Sequence, residues 1–218
     1  QRILKNVAWG TDDPIIVIGH KNEEIKEKLG PGFTYVVQEK QQGTGDAVRS
    51  ARDVLKDRVF AENIMVLPAD QPFASEQTLR NLWNVHKENN ATLTIGTIVV
   101  PNFSGNHELF SHYGRIRRDE NNHIVGIVEE KDASEEEKNI KEVNISYYCF
   151  KTKWLWENID TLKNENKSGE FYITDMIQIA ALKNIPIHSY TVPDLKEGMG
   201  FNTREQLELL QKIADEKE

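Results

Sequence analysis

The chain has 218 residues, 38% of them apolar, a net charge of −8 and a single cysteine, Cys149. That length holds one sizeable α/β core with room for a small subsidiary lobe. An acidic balance excludes a sequence-independent grip on nucleic acid, one cysteine excludes an internal disulfide, and no apolar run is long enough to span a bilayer.

With no signal-peptide pattern and one thiol, a reducing, cytoplasmic setting is expected. Small anionic substrates stay open, because local Lys and Arg or a metal override the global sign. Oligomeric state is left open by the sequence.

In chain order, Gln1 to Gly10 reads as the later part of a helix, with Ile3, Leu4, Val7 and Ala8 at helical spacing and Gly10 as its stop. It lacks an N-cap and an initiator Met, so the chain is expected to begin inside an element. Pro14 to Gly19 is a β-branched run of the kind buried on both faces of a sheet. A charged helix from Asn22 to Leu29 ends at Gly30-Pro31-Gly32, and Phe33 to Gln38 is a second strand. The polar loop Glu39 to Gly45 opens into a helix carrying Ala47, Val48, Ala51, Val54 and Leu55. Asn63 to Leu67 is a third strand, a helix starts at Ser75, and Leu93 to Val100 is a fourth strand. This alternation predicts a mostly parallel sheet with helical crossovers.

Beyond Pro101 the pattern changes. Gly114 to Arg118 and Ile124 to Glu129 read as a hairpin around Asn121-Asn122. Ser134 and Glu137 form a capping box for a short acidic helix. Val143 to Phe150 is a strand, Trp154, Leu155 and Ile159 mark a helix, and Glu170 to Asp175 leads into another. Ile187 to Val192 is the last strand, and Thr203 with Gln206 caps a closing helix.

Four places attract chemistry. Asp70 follows the third strand, and the carboxyl ends of strands in open α/β sheets are where ligands sit. A lone Asp there can hold a divalent cation against a phosphate-bearing substrate, or it can simply be a turn residue. Asn202 precedes the last helix, where a side-chain amide oxygen can join a carboxylate around a hard cation or, equally, shape a turn. The loop with Gly43, Thr44 and Gly45 stands between a strand and a helix, a setting that favours an anion or, equally, a tight turn. It lacks both the P-loop ending and the dinucleotide three-glycine spacing. Asn144 starts an apolar strand, so its amide is either satisfied by a turn or presented to a ligand. The Glu129-to-Asp132 run reads by itself as a solvated sheet edge.

Together these stretches resemble bacterial N-acetylglucosamine-1-phosphate uridyltransferases. The resemblance rests on Gln38-x-x-x-Gln42-Gly43-Thr44-Gly45-x-Ala47, Leu67-Pro68-Ala69-Asp70-Gln71-Pro72 and Tyr113-Gly114-Arg115-Ile116. It extends through Gly126 to Ala133, Glu142-Val143-Asn144, Glu170 to Asp175 and Gly200-Phe201-Asn202-Thr203. It implies a Rossmann-like, glycosyltransferase-A-type nucleotidyltransferase: a mixed, mostly parallel sheet flanked by helices, with a small hairpin lobe, in one domain over 1–218. It also implies roles. Gln38 would read the base edge, with Gly43 and Thr44 beside it. Asp70 and Asn202 would hold Mg²⁺. Gly114, Glu129 and Asn144 would contact the sugar or ribose side.

The chain departs from the family pattern at three points. The Gly-rich signature loop that grips the triphosphate belongs upstream of Gln1, so the chain as given is expected to be N-terminally incomplete and a poor catalyst. Pro68-Ala69 replaces an aromatic and a glycine, and Ile145-Ser146 replaces Thr-Gly. The sequence stops after its closing helix, so the hexapeptide-repeat domain of bifunctional members is expected to be lacking. Two alternatives stand beside the uridyltransferase reading: a molybdenum-cofactor-type nucleotidyltransferase, suggested by Ala69 to Pro72, and a non-catalytic nucleotide-sugar sensor.

Overall fold

The computed structural model describes residues 2–56, 61–201 and 203–215. A short helix α1 (Arg2–Val7) leads to strand β1 (Ile15–Ile18), helix α2 (Asn22–Leu29) and strand β2 (Thr34–Val37). Helices α3 (Thr44–Ser50) and α4 (Arg52–Lys56) precede β3 (Asn63–Val66), α5 (Glu76–Glu88) and β4 (Leu93–Val99). The second half holds β5 (Arg115–Arg118), β6 (Ile124–Val128), β7 (Glu142–Lys151), α6 (Thr152–Asn158), α7 (Asp175–Leu182), β8 (Ile187–Thr191) and α8 (Arg204–Asp215).

The single helix expected after Gly43 is two, because the Ala51 N–H bonds the Val48 carbonyl three residues back and tightens the turn before Leu55 resumes on Ala51. Ser134 and Glu137 do exchange their two capping hydrogen bonds, at 2.9 and 3.2 Å, but cap only a 3-10 turn at Glu137–Asn139. The last capping box holds as expected between Thr203 and Gln206, both bonds at 3.2 Å.

The sheet is mixed and flanked by helices, yet its pairing is less parallel than the alternation suggests. β1 and β2 form their own parallel pair. Five strands run in the order β6-β5-β7-β4-β8, with β3 joining as a further partner of β7, and only β4–β8 is parallel. The reason lies in β7, which follows a hairpin and loops instead of a crossover helix, so it returns antiparallel to β3, β4 and β5. The β5–β6 hairpin turns at Asn122, whose φ is +65°, and extends the sheet edge instead of forming a separate lobe. Nor is β1 buried on both faces: of its four residues only Ile18 is buried.

Side-chain alternation along β7 divides the core into two layers. Val143, Ile145, Tyr147 and Cys149 pack with Leu79 and Leu82 of α5 and Leu210 of α8; Tyr148 and Phe150 pack with Leu155 of α6 and Met176 and Ile177 of α7. The register shifts between Ile95 and Thr97, where β7 carries extra residues opposite Gly96 and Ser146 takes φ +61°. This bulge separates Asn144 from the regular strand that follows. Among the described residues, no helix is long and apolar enough to cross a membrane.

Candidate active site

Asp70 lies in the turn just past β3 and is half-buried. Burial pushes its carboxyl pKa up, and no cationic side chain among the described residues pairs with it. Next to it, Gln71 is 4% exposed, and its side-chain Oε1 is buried without a partner. A buried acceptor with no donor costs free energy, so the pair is arranged for something that brings positive charge or hydrogen-bond donors. A hydrated divalent cation brings both. Among the described residues no three His, Cys, Asp or Glu form a metal cluster; Mg²⁺ does not need one, since it keeps waters and takes substrate phosphate oxygens.

The segment that leads to Asn202 is fastened to this strand end. Phe201 N–H donates to the Asp70 carbonyl at 3.3 Å. The Tyr113 hydroxyl donates to the Gly198 carbonyl at 2.8 Å and accepts from the Gly200 N–H at 2.9 Å. The Tyr147 hydroxyl donates to the Glu197 carbonyl at 2.6 Å, and the Glu197 carboxylate receives the N–H and hydroxyl of Ser75, the N-cap of α5, at 2.8 and 3.1 Å. Asn202 itself lies outside the described residues. Sequence reasoning missed Gln71, Tyr113, Tyr147 and Glu197; of these, Gln71 and Tyr113 stood in motifs that could have signalled them.

Three further residues named from the sequence come together at the start of β7. Asn144 N–H donates to the Gly114 carbonyl at 2.8 Å. A Cβ on Gly114 would lie 2.7 Å from Ile127 Cγ2 and 3.3 Å from Glu129 Oε2, so the chain approaches the carboxylate only as glycine. Glu129 is therefore no solvated edge: Thr174 Oγ1 donates to its Oε1 at 2.8 Å, and burial, with Asp175, Asp132 and Glu170 nearby, raises its pKa. The Asn144 amide is satisfied internally. Its Nδ2 donates to the Tyr148 hydroxyl at 2.7 Å, and its Oδ1 accepts the Ser146 N–H at 3.1 Å. Of the two options left by the sequence, the turn is the one seen.

The Gly-rich loop is braced from behind. Gly43 has φ +107°, and a Cβ there would lie 2.6 Å from the Phe171 carbonyl oxygen. Phe171 N–H donates to the Gln42 carbonyl at 2.7 Å, Gly45 N–H to the Phe171 carbonyl at 2.8 Å, and Ile173 N–H to Thr44 Oγ1 at 3.1 Å. Gln42, Thr44 and Gly45 thus fix the loop to the 170–173 segment, and Gly43 lets it come that close. Gln38 Nε2 donates to the Gly43 carbonyl at 3.2 Å and to Asp46 Oδ2 at 2.7 Å.

Comparisons with known proteins bear on the family and the fold. Residues 1–193 match the nucleotidyl transferase family profile. The chain is 41% identical over 206 residues to the bifunctional protein GlmU of Acetivibrio thermocellus, covering 94% of this chain and 42% of that protein. To the bifunctional protein GlmU of Clostridioides difficile it is 37% identical over 204 residues, again 94% of this chain and 42% of the relative. The chain thus spans about two fifths of the length of these curated relatives. In fold, a UDP-glucose pyrophosphorylase solved with UDP-glucose superposes with a TM-score of 0.72 at 16% identity, over all of this chain and 86% of that one. The chain belongs to the nucleotidyl transferase family.

Proposed function

We propose that the protein is a sugar-1-phosphate nucleotidyltransferase that joins UTP and N-acetylglucosamine 1-phosphate to give UDP-N-acetylglucosamine and pyrophosphate, in the cytoplasm. The observation that carries this reading is the half-buried Asp70, whose carboxylate has no cationic partner among the described residues and whose main-chain carbonyl is fastened to the segment that runs into Asn202. Asp70 and Asn202 would hold Mg²⁺, which when bound supplies charge neutralisation for the triphosphate.

The remaining work is positioning. Gln38 and the braced Gly43-Thr44 loop receive the base. Gly114 and Glu129 face the sugar, and Asn144, locked by Tyr148 and Ser146, holds the backbone of Gly114 in place. An oxygen of the sugar 1-phosphate then attacks the α-phosphorus. As that bond forms, the bond from the α-phosphorus to the bridging β-oxygen breaks, and pyrophosphate leaves with that oxygen. The nucleophile is already an anion, so the protein has no nucleophile to activate; placing two anions in line and screening their repulsion is the task.

The test is product identity. The full-length protein, given UTP, N-acetylglucosamine 1-phosphate and Mg²⁺, is followed by phosphorus NMR. The expected outcome is equimolar UDP-sugar and pyrophosphate. A protein that binds the UDP-sugar yet releases no pyrophosphate with any sugar 1-phosphate is a sensor, and this reading fails.

A further inference from the structure

A carboxamide such as that of Gln38 has two hydrogens to give and one oxygen that accepts. Both hydrogens are spoken for by acceptors: the Gly43 carbonyl at 3.2 Å and Asp46 Oδ2 at 2.7 Å. Neither partner can donate in its ordinary state, so the amide cannot be turned over without setting an oxygen against a carboxylate. Its Oε1 takes no hydrogen bond from any described residue.

The carboxylate that does this is itself well anchored. Asp46 is 13% exposed, and Arg49 Nη2 holds its other oxygen at 2.6 Å. The Arg49 guanidinium in turn lies 4.8 Å over the Phe171 ring, whose backbone braces the Gly-rich loop. Burial opposes the charge on Asp46, but the Gln38 amide and Arg49 outweigh it and keep its pKa below the usual carboxylate range. A relay of Phe171, Arg49, Asp46 and Gln38 therefore ends in one acceptor without a donor among the described residues.

We propose that Asp46 is the specificity-determining residue of the base site: it locks the Gln38 carboxamide with its oxygen outward, so that the site accepts a base carrying an imino N–H and rejects one carrying a bare ring nitrogen there. Uracil offers N3–H at that edge; cytosine offers a lone pair, which would face the lone pairs of Oε1. The inference rests on the reading that Gln38 meets the base, and adds what orients it. Asp46 touches no substrate; it acts through Gln38.

The experiment measures kcat and KM for UTP and CTP in the full-length protein, wild type against Asp46→Leu, Asp46→Ser and Asp46→Glu, with thermal melting to confirm folding. The wild type is expected to prefer UTP by about tenfold or more. Asp46→Leu and Asp46→Ser should erase most of that preference, chiefly by lowering KM for CTP, and Asp46→Glu should restore it. A general loosening of the loop would raise KM for both nucleotides alike, and that result overturns the proposal, as does full preference retained in both Leu and Ser variants. Should the Leu variant not fold, the Ser variant and the wild-type ratio still decide: a wild type that takes CTP as readily as UTP contradicts it outright. A wild type that turns over neither nucleotide but binds UTP over CTP tells against catalysis alone and leaves the Asp46 comparison to be read from Kd values.

Discussion

At the scale of single residues, the site concentrates carboxylates that the fold does not neutralise. Glu129 is half-buried and its pKa is raised, first by desolvation and then by neighbouring acids. A carboxyl group held above its unfolded value binds its proton more tightly when folded, so above the unfolded pKa its ionisation subtracts from stability. Glu129→Gln keeps an acceptor for Thr174 and removes that charge. The expected outcome in urea unfolding at neutral pH is a more stable ligand-free protein, together with a lower kcat/KM for the sugar 1-phosphate. A variant that is both destabilised and fully active removes Glu129 from the site. His86 makes the opposite kind of contribution. It is 1% exposed between Thr94 Oγ1 and Asn63 Oδ1, both at 3.0 Å, and burial, followed by neighbouring cations, holds its pKa down at about 4. The unfolded chain takes up this proton first. Stability should therefore fall as pH drops from about 6.5 toward about 4 and level off below, by up to roughly 3 kcal/mol. His86→Gln should flatten that part of the unfolding-versus-pH curve. Asp70, Glu129 and Gln38 could be named from the sequence because each stands in a short local pattern. Tyr113 could be located by its motif but not given its partners, which lie 85 and 87 residues along the chain. Gln71 stands beside Asp70, but its orphaned oxygen is a fact of packing alone.

At the scale of elements, the strands and helices were legible because β-branched runs and 3.6-residue periodicity are local signals. Pairing was not, since the direction of β7 depends on the route taken by Pro101 to Lys141 and not on β7's own residues. The bulge at Ser146 was likewise hidden: a serine in a strand-like run gives no sign that it must adopt φ +61°. The segment Glu197 to Phe201 is the element on which the site depends most, for it has little regular structure and is held by Ser75 at the N-cap of α5, by Tyr147 of β7 and by Tyr113. Tyr113→Phe removes one hydroxyl and leaves the Gly198 carbonyl and Gly200 N–H without their partner. This should cost about 1–3 kcal/mol in chemical unfolding. It should also raise the Mg²⁺ concentration needed for half-maximal turnover, because the approach to Asn202 loosens. An unchanged Mg²⁺ dependence would show that the Tyr113 contacts serve the fold alone.

At the scale of the whole molecule, a protein of net charge −8 proposed to act on two polyanions needs local positive charge. In the proposed function a bound cation supplies that charge at the half-buried Asp70 carboxylate, which has no cationic neighbour among the described residues. Family membership was legible in the joint order of weak motifs, and the fold follows from it. The proposed reaction rests on the strand end. The most direct measurement is therefore the rate of pyrophosphate release from UTP and N-acetylglucosamine 1-phosphate by the full-length protein, wild type against Asp70→Asn, over a range of Mg²⁺ concentrations. The account predicts Mg²⁺-dependent release in the wild type and a loss of about a hundredfold or more in Asp70→Asn, with melting behaviour unimpaired. Release by Asp70→Asn at the wild-type rate and with the wild-type Mg²⁺ dependence would contradict it.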